Sequence, residues 1–408
     1  MLSRIVPPFA VTLCLVLAGC SPDPPTTASA PPPSSQSPSL QSPSSSPPSS
    51  PSPPPSTSPS ASPPADCVTR TLGRLGPAEL AGQVLMIGTS VNAPSGLGDT
   101  VRRYHLGGVF LHGRSTHTAG QLRSDIAELQ KRAQLPLLVS LDQEGGNVQT
   151  LKGPDFPRIP TAEQLGAGPA AKLRSTTTDS ARRLAAIGVT INLAPVADTV
   201  PASLGERNPP IGYWHRQYGS DPAKVAASIR TIVPASQDAG VLTVVKHFPG
   251  LGRVTANTDT SAKAVDNTAT DKDPYLGPFV EGIKAGSGGV MISSARYPRL
   301  DPSAIAAFSA PIVTGLLRQR LGYQGLIMSD DLGAAVALGS VPAGQRAVRF
   351  VAAGGDLVLT IRPSDAAPMA AALIERAAGD PPFRARLTDA ARHVLAAKDR
   401  AGLLSCAD

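Results

Sequence analysis

The sequence predicts an α/β fold, a single (β/α)8 TIM-like barrel, on three observations. Eight short, nearly continuous apolar runs recur along the chain. Amphipathic stretches lie between most of them, and polar side chains collect where the runs end. Unbroken runs of Val, Ile, Leu and Met mark parallel strands covered on both faces. Eight strand-then-helix units close into a barrel. A doubly wound open sheet is the competing topology. It calls for a Gly-rich phosphate turn after a strand, whereas Gly286-Ser287-Gly288-Gly289 precedes its strand.

The elements follow in order. Strands one and two are expected at 83–90 and 107–113. A helix at 119–133 then carries Leu122, Ile126 and Leu129 on one face. Strands three and four are expected at 135–142 and 189–198. The helix at 221–240 opens on Ser220-Asp221-Pro222, a capping residue followed by a proline at the first helical position. Strands five and six fall at 241–248 and 288–295, followed by a helix at 309–321. Strands seven and eight fall at 325–332 and 356–361, and a helix at 388–404 closes the chain.

The segment before the barrel is of another kind. Arg4 precedes an apolar run over 9–17 and then Ala18-Gly19-Cys20, the layout of an export signal. The run is shorter than a membrane span. Leu17-Ala18-Gly19-Cys20 resembles a bacterial lipobox, which implies a signal over 1–19 and a lipid on Cys20. An ordinary secretory cleavage site is the alternative. Residues 20–66 form the expected linker. Positions 21–66 hold 17 prolines and 17 serines and cannot bury enough apolar surface to order themselves. Such a spacer is semi-stiff and reaches up to ~140 Å. The globular part is then 67–408.

Cysteine usage and charge narrow the classes. Cys14 leaves with the signal and Cys20 carries lipid, so Cys67 and Cys406 stand at the two ends of the barrel. An exported protein meets an oxidising compartment, and a closed barrel brings its ends together. A Cys67–Cys406 disulfide is expected, with two free thiols as the alternative. Two cysteines alone do not make a zinc site, and no metal or organic cofactor is implied. The net charge is +7. A basic surface can attract nucleic acid or an anionic envelope. Aromatics are only 4% and no basic–aromatic stripe occurs, which argues against nucleic acid. Scattered glycine and proline without heptads exclude a coiled coil or fibre.

Asp142, Asp198, Lys246, His247, Ser293, Ser294, Asp330 and Asp331 sit at the C-terminal ends of predicted strands. That face carries the active site in this fold. One such residue could cap a helix. Five strands delivering polar groups to one rim are harder to explain as capping.

Three blocks occur in order: Asp142-Gln143-Glu144-Gly145-Gly146, Lys246-His247-Phe248-Pro249-Gly250 and Ser329-Asp330-Asp331-Leu332. Together they closely resemble glycoside hydrolase family 3, in its single-barrel β-N-acetylglucosaminidase branch, over roughly residues 72–400. Asn192-Leu193-Ala194-Pro195-Val196-Ala197-Asp198 and Arg216-Gln217-Tyr218-Gly219-Ser220-Asp221-Pro222 also fit. With the lipobox and linker, the whole resembles the lipoprotein β-hexosaminidases of actinobacteria. The resemblance makes Asp330 the nucleophile of a covalent, retaining mechanism. It places Asp142, Lys246 and His247 on the hydroxyls of the terminal sugar, with Arg216 as a clamp. Glu144 is expected to brace the rim.

The sequence departs from that family twice. Thr150 stands where many relatives carry an arginine, with Lys152 a possible substitute. Gly250-Leu251-Gly252 and Asp259-Thr260-Ser261 stand where relatives have Gly-His-Gly and an Asp-Ser/Thr-His dyad whose histidine is the general acid/base. A serine hydroxyl does not donate a proton usefully near pH 7. Asp259 is therefore the candidate acid/base; a neighbouring Asp330 would raise its pKa. The resemblance implies a retaining exo-β-N-acetylglucosaminidase acting on GlcNAc-containing cell-wall fragments such as muropeptides. A monomer held by lipid on the outer face of the cell membrane is expected. The alternatives are a family 3 β-glucosidase and a cell-wall sugar-binding lipoprotein without catalysis.

Overall fold

A computed structural model of the chain describes residues 66–405. The signal, Cys20, the linker to residue 65 and Cys406 lie outside the described residues. Eight strands form the barrel: β1 Leu85–Ser90, β2 Gly108–His112, β3 Leu138–Leu141, β4 Ile191–Asn192, β5 Leu242–Phe248, β6 Gly289–Ile292, β7 Leu326–Asp331 and β8 Leu357–Thr360. Each pairs in parallel with its sequence neighbours, and β8 returns to β1 with Leu85 opposite Val358 and Ile87 opposite Thr360. The predicted barrel is therefore present, and the open sheet is excluded.

Strand parity divides the core in two. Successive side chains point to opposite faces of a strand. Met86, Phe110, Leu138, Ile191, Val244, Met291, Met328 and Leu359, at least one from every strand, meet in the lumen. The intervening Ile87, Val109, Val139, Val245, Val290, Ile327 and Val358 face outward into the larger core under the helices. A strand covered on both sides must be apolar at every position, which is why the runs are continuous.

Several element boundaries differ from expectation. Only Ile191–Asn192 of the fourth run joins the ladder. Pro195 lacks a backbone N–H, and beyond Asn192 single bonds replace the regular ladder: Leu193 N–H to Leu141 O at 3.0 Å, Val244 N–H to Ala194 O at 2.9 Å, and an isolated bridge from Val196 to Lys246. Asp198 therefore lies past the strand end, beside β5. The helix expected at 119–133 is Ala119–Gln130, opened by a Thr118–Gln121 capping box, with Leu122, Ile126 and Leu129 buried. That expected at 221–240 is Pro222–Gln237, capped by Asp221. Pro311–Arg320, expected as an ordinary helix, winds as a π-helix. The last helix is Pro381–Arg400 rather than 388–404. Asp380 accepts from the Phe383 N–H at 3.0 Å and Pro381 follows it, so the helix starts earlier.

This last helix closes the bottom of the barrel. Val394 and Ala397 pack onto the lumen cluster. Buried Asp356 accepts the Ile327 N–H at 2.8 Å and pairs with Arg318, Arg386 and His393. The first helix, Cys67–Leu72, packs against the last, which brings the two ends of the barrel together. Cys67 is disulfide-bonded.

Lys398, on the last helix, is fully buried and donates to Gln83 Oε1 at 2.5 Å. Burial pushes its ammonium down to about 7. The unfolded chain holds that proton up to about 10.4, so the fold favours the neutral amine. Its contribution to stability is complete above the unfolded value. It declines as pH falls and is lost below about 7. Lys398→Met should therefore gain stability over the parent most at pH 6, with the gain shrinking toward pH 10, apart from a constant offset for Gln83. Urea unfolding across that range reads it; a pH-independent difference would remove the buried ammonium as the cause.

Candidate active site

The parity that fills the lumen also builds the site. The inward positions of three strands run Leu138-Ser140-Asp142, Leu242-Val244-Lys246 and Leu326-Met328-Asp330. Each series is apolar at the bottom and ionisable at the top. Asp142, Lys246 and Asp330 thus converge on the C-terminal face. They line a cleft of about 530 Å³ together with Arg216, His247 and Asp259. All six residues singled out from the sequence for catalysis or sugar binding therefore meet in one place.

Glu144 anchors the floor of this cleft. It sits on a short ribbon, Gln143–Gly145 paired with Val148–Gln149. The turn between needs Gly145 and Gly146, whose φ values are 110° and 55°. The buried Glu144 carboxylate accepts from Arg216 Nε at 2.8 Å and Nη2 at 2.7 Å. Lys246 Nζ lies 2.6 Å from Glu144 and 2.6 Å from Asp142. Burial alone would raise the Glu144 pKa, but Arg216 and Lys246 outweigh it and hold the carboxyl at about 2. Burial likewise works against the Lys246 ammonium, and Asp142 and Glu144 reverse it, raising its pKa. The Arg216 guanidinium also donates Nη1 to Pro210 O at 2.8 Å.

His247 is fixed from behind. Fully buried Asp198 lies 2.7 Å from His247 Nδ1 and accepts the Leu251 N–H at 2.7 Å. A carboxylate only accepts, so it sets the proton on Nδ1 and leaves Nε2 for the cleft. Asp331 accepts from the N–H groups of Gly333, Ala334 and Ile361 and ties β7 to β8. Ser293 and Ser294 are buried off the cleft lining.

Asp330, the last but one residue of β7, accepts the Asp331 N–H at 2.8 Å. Asp259 comes from the loop after β5. Arg253 fastens the base of that loop to Asp266 at 2.8 Å and to Asp273. Asp259 lines the cleft at its solvent-exposed edge. Partial burial first, and then the charge of Asp330, push it above the ordinary aspartate range; His247 and Arg216 pull the other way.

Thr150 does not face the cleft. It is buried, and its Oγ1 donates to Asp142 O at 2.8 Å. Lys152 is exposed and off the cleft lining. A different cation lines the cleft: Arg114, from the turn after β2, held on Gly113 O at 2.8 Å and Asn147 O at 3.1 Å. Sequence reasoning missed Arg114 and also Trp214, which stands on the cleft wall. An arginine directly after the β2 run and the sole tryptophan, two residues before Arg216, were the available signals.

A parallel barrel whose C-terminal face gathers carboxylates over an ion-paired floor has the layout of a glycoside hydrolase. Comparison with known proteins agrees. Residues 79–397 match the glycosyl hydrolase family 3 N-terminal domain, and the chain belongs to that family. It is similar to a β-N-acetylhexosaminidase from Beutenbergia cavernae of known structure. Identity is 43% and the TM-score 0.78, over 80% of this chain and 99% of that one. It also resembles a family 3 β-N-acetylglucosaminidase from a Paenibacillus species, with 30% identity and a TM-score of 0.75 over 82% of this chain and 64% of that one. A β-hexosaminidase of Xanthomonas oryzae pv. oryzae is 33% identical over 279 residues, 65% of this chain and 79% of the relative.

Glu144→Gln should destabilise the barrel by about 3 kcal/mol at pH 7, because two buried cations lose their shared anion. The Glu144 pKa is depressed, so its contribution is present above the unfolded value of 4.5 and lost as pH falls toward about 2. Urea titrations should show the parent converging on the variant over that window. Parallel curves from pH 5 to pH 2 would mean that Glu144 is not the anion that pairs these cations.

Proposed function

We propose that the chain is a retaining exo-β-N-acetylglucosaminidase. What carries the reading is that Asp330 and Asp259 line one cleft, where partial burial and then the Asp330 charge push the Asp259 pKa up. The similarity to β-N-acetylhexosaminidases supports GlcNAc as the terminal sugar. Asp142, Lys246, His247 and Arg216 hold its hydroxyls. Asp330 attacks the anomeric carbon, the bond to the leaving oxygen breaks, and Asp259 delivers the proton to that oxygen. Water then opens the glycosyl-aspartate, with Asp259 taking the proton back. Muropeptides and related cell-wall fragments are the proposed substrates, and no cofactor takes part. The proposed location is the outer face of the cell membrane, with lipid on Cys20 and the Pro/Ser segment as spacer.

A 5-fluoro-GlcNAc trap should label Asp330, and Asp330→Asn should abolish turnover while keeping the fold. Asp259→Ala should cripple substrates with a sugar-alcohol leaving group far more than dinitrophenyl GlcNAc, and azide should rescue the latter. The parent kcat/KM should fall as pH rises through the raised Asp259 value, and Asp259→Ala should lose that limb on the activated substrate. A label on Asp331 or Glu144, or equal losses on both substrates, would overturn the assignment of roles. Membrane fractionation tests the anchor: Cys20→Ala should move the protein from membrane to soluble fractions, and unchanged partitioning would refute lipidation there.

A further inference from the structure

Three large hydrophobic side chains are exposed among the described residues: Tyr213, Trp214 and Val336. Tyr213 and Trp214 stand on the loop after β4, and Val336 on the loop after β7. Of these, only Trp214 lines the cleft. An exposed indole keeps apolar area in water, and a ligand that covers it gains free energy. Its position decides what that is. The floor residues are deep: the Lys246 side chain is 3% exposed and that of Glu144 5%. Trp214 is 41% exposed and stands at the rim. A terminal sugar held on the floor therefore leaves Trp214 to the group attached to that sugar.

The turn that carries Trp214 is held on three sides. Asn208, fully buried, accepts from the Ile211 and Gly212 N–H groups at 3.0 and 2.9 Å. Its Nδ2 donates to Leu251 O at 2.8 Å and Val254 O at 2.9 Å, in the loop that leads to Asp259. His215, directly after Trp214, has φ 54° and pairs with Glu163 at 2.7 Å. Arg216 fastens Pro210 O to the Glu144 carboxylate. The Tyr213 ring meets the indole at 86° with centroids 5.0 Å apart. An aromatic face held in place before the ligand arrives loses little freedom on binding.

We propose that Trp214 is the stacking platform of a leaving-group subsite, and that the group it takes is a second pyranose ring. A pyranose with equatorial substituents presents a face of axial C–H bonds. These carry partial positive charge and pack on the negative face of an aromatic ring. The proposal rests on reading the site as a β-N-acetylglucosaminidase and adds what lies beyond the scissile bond.

Trp214 is the only tryptophan in the chain, so its fluorescence reports the platform directly. In the Asp330→Asn protein, the disaccharide chitobiose should shift Trp214 emission to the blue, and free GlcNAc should leave it near its starting value. In the active protein, Trp214→Ala should lower the ratio of kcat/KM for chitobiose over methyl β-GlcNAc about tenfold. Most of that loss should appear in the KM for chitobiose. Trp214→Phe should restore the ratio, and Val336→Ala should keep it. An emission change that is equal for the two ligands, or an unchanged ratio while both glycosides are turned over, overturns the platform alone. Failure of the parent to turn over or bind any GlcNAc compound overturns the underlying reading and the platform with it.

Discussion

One buried carboxylate determines how the site is assembled. Glu144 pairs with Arg216 from the loop after β4 and with Lys246 from the end of β5, while itself standing on the ribbon after β3. Three adjacent segments are thereby tied at one point. Desolvating two cations and two carboxylates is costly, and the arrangement is favourable only because each charge has an opposite partner within hydrogen-bond reach. The compensation also fixes protonation. Glu144 stays ionised and Lys246 stays charged, so the floor offers directed N–H donors together with the acceptor oxygens of Asp142. The same Arg216 holds Pro210, whose segment leads to Trp214, so the order of the rim is inherited from the floor.

Much of this was legible in the sequence because alternation along the barrel strands carries an ionisable residue to the inward end of three of them. Leu-Ser-Asp, Val-Lys and Met-Asp alternations in β3, β5 and β7 place the ionisable residue one step above an uncharged one. A reader of the sequence therefore finds Asp142, Lys246 and Asp330 without knowing the fold in detail. Where the chain leaves the ladder, parity no longer guides. The fourth run looked like a ten-residue strand, yet only Ile191–Asn192 is regular strand and the rest holds β3 and β5 by single bonds, a change that an apolar run does not record. Asp198 reached the site region by a bridge to β5 rather than by a strand end. The early start of the last helix was carried by one Asp380–Pro381 step upstream of the amphipathic pattern.

Loop residues were the least legible, for a physical reason. Arg114 and Trp214 gain their roles from neighbours distant in sequence: Arg114 from Asn147, and Trp214 from the Asn208 bridge to Leu251 and Val254. No local periodicity encodes such contacts. Thr150 shows the converse. Its place in a family pattern suggested a missing substrate contact, but its hydroxyl closes a bond to the Asp142 backbone, and Arg114, after β2, is a cation that does line the cleft. A substitution at a motif position can therefore leave the cleft cationic.

The absence of a histidine beside Asp259 sets a demand that electrostatics can meet. In the proposed reaction one carboxyl must donate a proton in the first step and accept one in the second. A fixed pKa serves only one of these well. Asp259 has a pKa that depends on the state of its partner, since burial and then the Asp330 charge raise it. While Asp330 is a free carboxylate, Asp259 is favoured as the acid. Once Asp330 is esterified to the sugar, that negative charge is gone, while the pull of His247 and Arg216 in the opposite direction remains. In the proposed cycle the Asp259 pKa would then fall, and the same group would serve as the base toward the attacking water. Opening the ester restores the Asp330 charge and with it the acid. Under that proposal the covalent step would reset the proton donor, with Asp259 as the group that moves the proton and the charge of Asp330 as what retunes it.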